Sequence, residues 1–286
     1  MANSAAPSHL TARQRARRAT RGGASLSVPV PLLVPALIAM GFLVLPLAGL
    51  LIRAPWGRIG AALSGSDATQ ALVLSLWTAT ASTAISLAIG VPLAWVLARS
   101  SFPGQRLLRA LVTLPLVLPP VVGGVALLLA FGRTGFIGHY LDSLFGLTIP
   151  FTPIAVVMAE TFVAMPFLII TVEGALRSAD QGYEQAAATL GARRMTVFRR
   201  VTLPLVAPSL GAGAVLCWAR ALGEFGATIT FAGSFPGQTE TMPIAVYYAL
   251  ETDPDAAIAL SLVLLLVSVI VLVSLRDQWV RRGTGP

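Results

Sequence analysis

The sequence predicts an all-α integral membrane protein with six transmembrane helices. Of its 286 residues, 56% are hydrophobic and 11% are charged, whereas soluble domains carry about 25% charged residues. A helix of about 20 apolar residues crosses a ~30 Å bilayer core because each residue adds about 1.5 Å. Six stretches meet this length, and we predict spans at about residues 30–52, 71–98, 110–131, 153–171, 205–232 and 256–275.

The distribution of arginine predicts how the chain is oriented in the membrane. The chain has no lysine, and a cytoplasmic N-terminus puts 16 of the 20 basic residues in cytoplasmic segments and three in outer loops. Cytoplasmic loops carry such an excess. We therefore expect both termini in the cytoplasm, with a disordered arginine-rich tail at 1–29, an extra transmembrane helix at 30–52 and a second tail at 276–286. The run that begins at residue 28 is too long for a signal peptide.

Composition excludes several classes of function. The single cysteine excludes a disulfide or a cysteine-based metal site within the chain. Without lysine there is no Gly-x-x-x-x-Gly-Lys loop, so the chain lacks the phosphate-binding signature of an ATPase. The arginines flank apolar runs, so we expect contact with membrane lipid and none with nucleic acid.

A polar segment at 176–204 separates two of the predicted spans. Ser178 and Gln181 form the Ser-x-x-Gln pattern of a capping box, which predicts the start of a helix. Gly191 suits the left-handed position that ends a helix, a second short amphipathic run follows, and Pro204 begins the next span. The result is a helix–glycine–helix elbow. Its alanine face and basic rim suit a groove on a soluble partner or, alternatively, anionic lipid headgroups.

The third predicted span contains helix-disrupting residues, among them Pro119, Pro120 and Gly123. Prolines free backbone carbonyls, which neighbouring helices or a wet cavity must satisfy, and small residues let helices approach closely. Simple bundle packing explains part of this pattern. For Pro119–Gly124 we favour a kinked helix that lines a translocation pathway.

Three charged residues fall inside predicted spans, where a charge costs about 2.5–3.5 kcal/mol and marks a functional candidate. They are Glu160, Arg220 and Glu224. A four-residue spacing puts Arg220, Glu224 and Thr228 on one face of a continuous helix. Two interpretations stay open: an internal ion pair that keeps the helix in register, or an anion path to which Thr228 and Thr230 offer hydroxyls. The sequence identifies no partner for Glu160.

The polar segment resembles the "EAA" loop of type I ABC importer permeases. The match comprises Gln185-Ala186-Ala187, then Gly191, then Leu203-Pro204, with Gln185 where the family usually has Glu and Glu184 one position earlier. The resemblance implies the permease fold over 68–275, with 176–204 as the cytoplasmic coupling loop. The residues that it implies for coupling to an ATPase are Glu184, Gln185, Ala186, Ala187, Gly191, Arg193, Leu203 and Pro204.

Other segments are similar to the molybdate branch of these permeases. They are Phe102-Pro103-Gly104, the run from Thr113 to Gly123, residues 132–138, residues 219–233 and Thr241-Met242-Pro243. The Arg-Ala-x-Gly-Glu-Phe element within 219–233 is shared with sulfate permeases, so a sulfate or thiosulfate permease is an alternative. A proton-coupled secondary transporter that uses Glu160 and Glu224 is a more distant one.

The resemblance implies a molybdate transport subunit of the bacterial plasma membrane that has no cofactor and no catalytic activity of its own. Its partners would be a second copy of the chain, a cytoplasmic ATPase dimer that holds ATP and magnesium, and an extracytoplasmic molybdate-binding protein. The pathway residues that we expect are Pro119, Pro120, Gly123, Arg220, Glu224, Thr228 and Thr230.

Overall fold

The computed structural model describes residues 30–60 and 65–282. The predicted tail at 1–29 and the last four residues of the chain lie outside this part. The chain divides into two units, Met1–Ile52 and Arg53–Pro286. In the first unit, helix α1 (Val30–Ile52) has 23 residues and contains Pro35 and Pro46. Its segment Pro31–Ile52 is long and apolar enough to cross a membrane.

The second unit is helical throughout its regular structure in the described residues. Its helices are α2 (Ser66–Ile85), α3 (Val91–Arg99), α4 (Gln105–Val117), α5 (Pro120–Phe131), α6 (Gly138–Phe145), α7 (Pro153–Ser178), α8 (Gly182–Thr189), α9 (Arg194–Val197), α10 (Leu203–Leu222), α11 (Gly226–Phe231), α12 (Met242–Thr252) and α13 (Pro254–Arg282). Four continuous helical segments in this unit are long and apolar enough to cross a membrane: Asp67–Arg99, Pro153–Ser178, Arg194–Leu222 and Pro254–Val273. Because α13 continues to Arg282, most of the predicted C-terminal tail is helical.

Two π-helical turns keep long helices continuous across prolines. The turn Ser86–Gly90 joins α2 to α3, and the turn Phe198–Thr202 joins α9 to α10. Each ends two residues before a proline, Pro92 or Pro204. A proline ring clashes with the carbonyl four residues earlier, and that carbonyl lies within the wider π turn. The helix that contains Pro204 therefore does not begin at this proline, because it already runs from Arg194.

Two of the predicted spans are broken. The stretch 110–131 is two helices, α4 and α5, which meet at a bend of 118°. Leu118 is extended between them (φ −66°, ψ 135°), because the residue before a proline avoids the helical region and Pro119-Pro120 removes two backbone donors. The stretch 205–232 is also not one helix, since α10 ends at Leu222 and the short helix α11 starts again at Gly226.

Helix α7 is the central element of this unit, and it packs against α2, α3, α10 and α11. Buried alanines on α7, including Ala155, Ala159 and Ala164, have no exposed surface. Small side chains let helices approach closely where lipid gives no hydrophobic drive for association. The broken halves α5 and α11 meet beside the first half of α7, where Leu127, Val156 and other side chains form one buried cluster.

Helices α5 and α11 approach through two glycines. A Cβ atom added to Gly124 would lie 2.7 Å from the Cβ of Thr230 and 2.8 Å from the carbonyl oxygen of Ala227. A Cβ atom added to Gly226 would lie 2.8 Å from the Cβ of Pro120. The contact between the two short helices therefore requires glycine at both positions.

Three helices are tied together where α3 ends. The carbonyl oxygen of Leu97 accepts hydrogen bonds from the side chains of Gln105 (2.8 Å), Arg177 (3.1 Å) and Arg109 (3.4 Å). The carboxylate of Glu173 pairs with Arg109 and Arg177, each at 2.9 Å. Basic side chains satisfy terminal carbonyls and favour the negative end of the helix dipole. This cluster fixes the end of the bundle to which the elbow attaches.

The glycine contact gives a first testable prediction. We expect Gly124→Ala to destabilise the protein by about 1–3 kcal/mol, because the extra methyl overpacks the contact with α11. The matched control is Gly174→Ala on α7, where an added Cβ meets no atom within 4 Å. Alanine there should be neutral or gain up to about 1 kcal/mol. Thermal unfolding of both variants in detergent checks this, and equal midpoints would contradict it.

Candidate functional site

The elbow begins differently from its prediction. Ser178 is the last residue of α7, and its hydroxyl donates to the carbonyl of Ala175 at 3.0 Å. It is not the cap of a new helix, because its own backbone still belongs to α7. Helix α8 starts at Gly182, whose N–H donates to Oδ1 of Asp180 at 2.8 Å. The predicted capping box of Ser178 and Gln181 is therefore wrong.

The elbow helix ends as predicted. Gly191 has φ +82°, the left-handed conformation that favours glycine. Its N–H donates to the carbonyl of Ala188 at 3.0 Å, and the N–H of Ala192 donates to Ala187 at 3.1 Å. These two bonds form a Schellman motif, which satisfies carbonyls at the end of the helix. The chain then continues into α9.

One carboxylate fastens the elbow to the bundle. Oε1 of Glu184 lies 2.8 Å from Nη2 of Arg99, at the end of α3. The same oxygen accepts a hydrogen bond from the hydroxyl of Thr202 at 3.1 Å, in the π turn before α10. The side chains of Arg99 and Glu184 are 8% and 19% exposed. Two elements of the bundle therefore hold α8 through Glu184, whereas Gln185 is exposed.

The other coupling candidates occupy two kinds of position. Gln185, Ala186, Gly191, Arg193 and Pro204 are exposed, whereas Ala187 and Leu203 are half-buried. A hollow of about 460 Å³ with a mixed polar and apolar lining contains the Glu184–Arg99 pair. Its lining includes Ser100, Gln181, Gln185, Ala188, Ala192 and Thr202. The elbow thus presents an exposed surface outward and an ion pair inward.

The candidates at the bend between α4 and α5 also differ from one another. Pro119 and Pro120 are exposed, while Gly123 is buried. A Cβ atom on Gly123 would lie 3.1 Å from a ring carbon of Phe162 on α7. Gly123 is therefore a packing position, and the two prolines form the accessible part of this bend.

Arg220 and Glu224 form an ion pair across the break between α10 and α11. Nη2 of Arg220 lies 2.6 Å from Oε2 of Glu224, and their side chains are 28% and 1% exposed. Oε1 of Glu224 accepts the N–H of Ala227 at 2.7 Å, so the same carboxylate caps α11. The prediction that Arg220, Glu224 and Thr228 share one face of a continuous helix is wrong, because α10 has already ended at Leu222.

The two threonines of α11 differ in the hydrogen bonding of their hydroxyl groups. The hydroxyl of Thr230 donates to the carbonyl of Gly226 at 2.7 Å, so its proton is used by its own helix. Thr228 is fully buried, and its hydroxyl has no hydrogen-bond partner within the described residues. Thr228 is thus the threonine whose hydroxyl has both donor and acceptor capacity to spare.

Sequence reasoning missed the partners of Glu160. Thr78 on α2 donates to Oε1 of Glu160 at 2.8 Å, while Oε2 has no hydrogen-bond partner in the described part of the chain. Beside them, Thr161 donates to the carbonyl of Val157 at 2.7 Å, and its hydroxyl oxygen lies 3.2 Å from that of Ser82. The available signal was a row of hydroxyl residues on α2 and at the start of the π turn after it, at 75, 78, 82 and 86, which a 3.6-residue period puts on one face. Across residues 30–60 and 65–282, no three His, Cys, Asp or Glu are grouped to hold a metal ion.

The fastening of the elbow gives a second prediction. We expect Glu184→Ala to cost about 2 kcal/mol, because it leaves the guanidinium of Arg99 buried without its carboxylate. Amide exchange in α8 should accelerate, and hydrogen-exchange mass spectrometry of the peptide over 182–190 measures it. The control is Gln185→Ala, which removes an exposed side chain. Equal loss of protection in the two variants would show that Glu184 does not fasten α8.

The ion pair across the break gives a third prediction. We expect Arg220→Met to cost about 3 kcal/mol, because it leaves the buried carboxylate of Glu224 unpaired. Adding Glu224→Gln should recover most of the loss, since glutamine keeps an acceptor for the N–H of Ala227 without the charge. Unfolding of both single variants and the double variant gives the coupling energy. Strictly additive losses would show that the pair does not stabilise the break.

The chain matches known proteins in sequence. Residues 90–282 match the family described as binding-protein-dependent transport system inner membrane component. The molybdenum transport system permease protein ModB of Mycobacterium tuberculosis is 53% identical over 238 residues, which cover 83% of this chain and 90% of that protein. ModB of Escherichia coli is 42% identical over 213 residues, which cover 74% of this chain and 93% of that protein. The sulfate transport system permease protein CysT of Escherichia coli is 35% identical over 270 residues, which cover 92% of this chain and 96% of that protein.

Solved structures share the fold. A bacterial ABC transporter that imports the acidic polysaccharide alginate superposes with a TM-score of 0.71 at 18% identity, covering 89% of this chain and 95% of that chain. The methionine ABC transporter MetNI gives a TM-score of 0.61 at 20% identity, covering 77% of this chain and 97% of that chain. The predicted fold of a type I ABC importer permease is thereby confirmed. The chain belongs to the family of binding-protein-dependent transport system inner membrane components.

Proposed function

We propose that this chain is the permease subunit of an ATP-driven molybdate importer. The observation that carries the proposal is the elbow, whose helix α8 is fixed to α3 and to the start of α10 through Glu184. A helix held in this way can transmit a movement imposed by a partner subunit to two long helices of the bundle. The choice of molybdate rests on the ModB relatives, one of them 53% identical over 83% of the chain.

The proposed assembly contains two copies of this chain, two cytoplasmic ATPase subunits and an extracytoplasmic molybdate-binding protein. ATP and magnesium would be bound by the ATPase subunits, so the chain itself performs no covalent chemistry. The arginine distribution supports an orientation with both termini and the elbow in the cytoplasm. The exposed residues Gln185, Ala186 and Arg193 would then face the ATPase.

Coupling follows from this arrangement in two steps. Closure of the ATPase subunits on ATP moves α8, and the ion pair with Arg99 transmits the motion to α3. The hydrogen bond from Thr202 transmits it to α10, whose far end holds the Arg220–Glu224 pair. A rigid-body movement of packed helices around a fixed path gives alternating access.

The region around the break between α10 and α11 is the proposed anion path. Arg220 is 28% exposed and already paired with Glu224, so its positive charge is partly offset. Conduction requires binding strong enough for entry and weak enough for release, and an offset arginine suits a dianion on this basis. Thr228 has a hydroxyl to spare but is fully buried, so it would donate to an oxyanion only after a movement of α11 exposes it. Pro119 and Pro120 would line the path at the neighbouring bend.

Sulfate is the second candidate for the transported anion. The sulfate permease relative is 35% identical, yet it covers 92% of this chain, more than the ModB relative does. For a proton-coupled secondary transporter there is less support, because Glu224 is paired with Arg220 and Glu160 accepts a hydrogen bond from Thr78. Membership of a binding-protein-dependent family also favours an ATP-driven system.

Uptake into vesicles tests the proposed function. The full-length chain is reconstituted with its ATPase and binding protein, and labelled molybdate is supplied outside with sulfate as competitor. We expect uptake that requires ATP and survives a roughly hundred-fold excess of sulfate. That excess corresponds to a preference for molybdate over sulfate of about 2.8 kcal/mol. Uptake abolished by equimolar sulfate would assign the sulfate function. Uptake without ATP would overturn the importer proposal.

A variant of the elbow separates coupling from anion recognition in the same assay. Gly191→Val forces a β-branched residue into the left-handed region, which costs roughly 1–2 kcal/mol or more, and should distort the exposed surface of the elbow. Uptake should fall while molybdate binding by the binding protein stays unchanged. Gly174→Ala, on open helical backbone, is the matched control and should transport normally.

A further inference from the structure

A second crevice lies beside the elbow, and none of its lining residues forms the contacts proposed for the transport cycle. It encloses about 250 Å³ between the last turns of α3 and the start of the helix that runs from Arg194. Its lining consists of Pro92, Trp95, Val96, Arg194, Met195 and Phe198. Trp95 and Phe198 stand edge to face, with ring centroids 6.3 Å apart and planes at 83°. Together with Arg194, they also line the hollow that contains Glu184.

The chemistry of the crevice is that of an amphiphile. Five of its six lining side chains are apolar, and Met195 is 60% exposed. Arg194 is the charged member, it is exposed, and no acidic residue lines the crevice. Within the described residues, Arg194 forms no ion pair, and neither do Arg199 and Arg200 on the same helix. The site therefore offers uncompensated positive charge beside an apolar cleft.

The position of the crevice matches a membrane surface. Its apolar residues Pro92 and Val96 belong to the long apolar segment that ends at Arg99. Arg194 starts the helix that enters the bundle from the same end. Arginines at the ends of such helices reach the headgroup level. A lipid in the adjacent leaflet can therefore reach Arg194 with its phosphate and the cleft with its chain.

The size of the crevice selects part of a molecule rather than a whole small ligand. Pockets for drug-sized ligands enclose about 300–1,000 Å³, so about 250 Å³ suits a segment of one acyl chain. We propose that this crevice binds one anionic phospholipid. Its phosphate lies on Arg194, and part of one acyl chain packs against Trp95, Met195 and Phe198. A zwitterionic lipid finds no carboxylate here for its ammonium group.

The bound lipid acts on the attachment of the elbow. Trp95 and Phe198 separate the crevice from the hollow that contains the Glu184–Arg99 pair. A chain packed against these rings restricts how far α9 can move from α3. The anionic lipid is thus a structural ligand of the coupling region, whichever anion the transporter carries.

Native mass spectrometry of the purified complex with its ATPase subunits tests this proposal. The complex is released from detergent after equilibration with phosphatidylglycerol or with phosphatidylcholine of the same acyl chains. We expect one phosphatidylglycerol retained per chain in preference to phosphatidylcholine. Arg194→Gln should reduce its retention about five-fold, the effect of one arginine at an anionic surface. Met195→Trp, which fills the cleft, should reduce retention of either lipid.

The matched control is Arg200→Gln, which removes an exposed arginine of the same helix that does not line the crevice. It should leave lipid retention unchanged. Equal losses for Arg194→Gln and Arg200→Gln would show a nonspecific basic surface and overturn the proposal. Equal retention of the two lipids would overturn it as well. So would a complex that retains no lipid at this site, because the crevice would then be covered by the ATPase.

Discussion

The elbow is held by one shared acceptor, the Oε1 atom of Glu184. Arg99 and Thr202 both reach this atom, from the end of α3 and from the π turn before α10. A mostly buried ion pair adds little net stability because desolvation offsets the attraction, but it strongly penalises arrangements that separate the partners. Glu184 therefore serves better as a rigid joint than as a stabilising contact. The exposed side of α8 is left free for another subunit, and the mechanical role of the chain depends on this division.

The interior follows a related constraint, since backbone and charged groups in a bilayer must find partners within the protein. The break after Leu222 exposes the first N–H groups of α11, and Glu224 satisfies one of them with Oε1. Its other oxygen faces Arg220, so one side chain both caps a helix and balances a charge. Glu160 has a simpler arrangement, since Thr78 on a neighbouring helix donates to its Oε1. Polar side chains thus make it possible for a span to unwind near the middle of the bundle.

Much of the fold could be predicted from the sequence, because long apolar runs and arginine-rich loops act over the whole length of a helix. The end of α8 at Gly191 was also predictable, since a left-handed residue after a helix has few alternatives to glycine. The prolines after Leu118 predicted a kink but not the 118° bend that separates two helices there, and the break at Gly223 was not predicted because the apolar signal continues through it. The partner of Glu184 was equally hidden: Arg99 lies 85 positions earlier in the chain, and only tertiary packing brings the two together. The capping box failed because α7 extends through Ser178, and local pattern cannot tell where a packed helix stops.

The π turns have a consequence for how this sequence is compared with others. A π turn holds about one residue more than an α turn, so every side chain after it is rotated by roughly 100° from its place in an uninterrupted helix. A helical wheel drawn with a uniform α-helical period through 194–222 therefore places Arg220 on the wrong side relative to residues before the π turn. The helix itself is continuous over this range. The same offset separates Trp95 from the hydroxyl row of α2. A relative without one of these turns would present the residues after it on a different face of the helix, so aligned positions beyond a π turn need not face the same side.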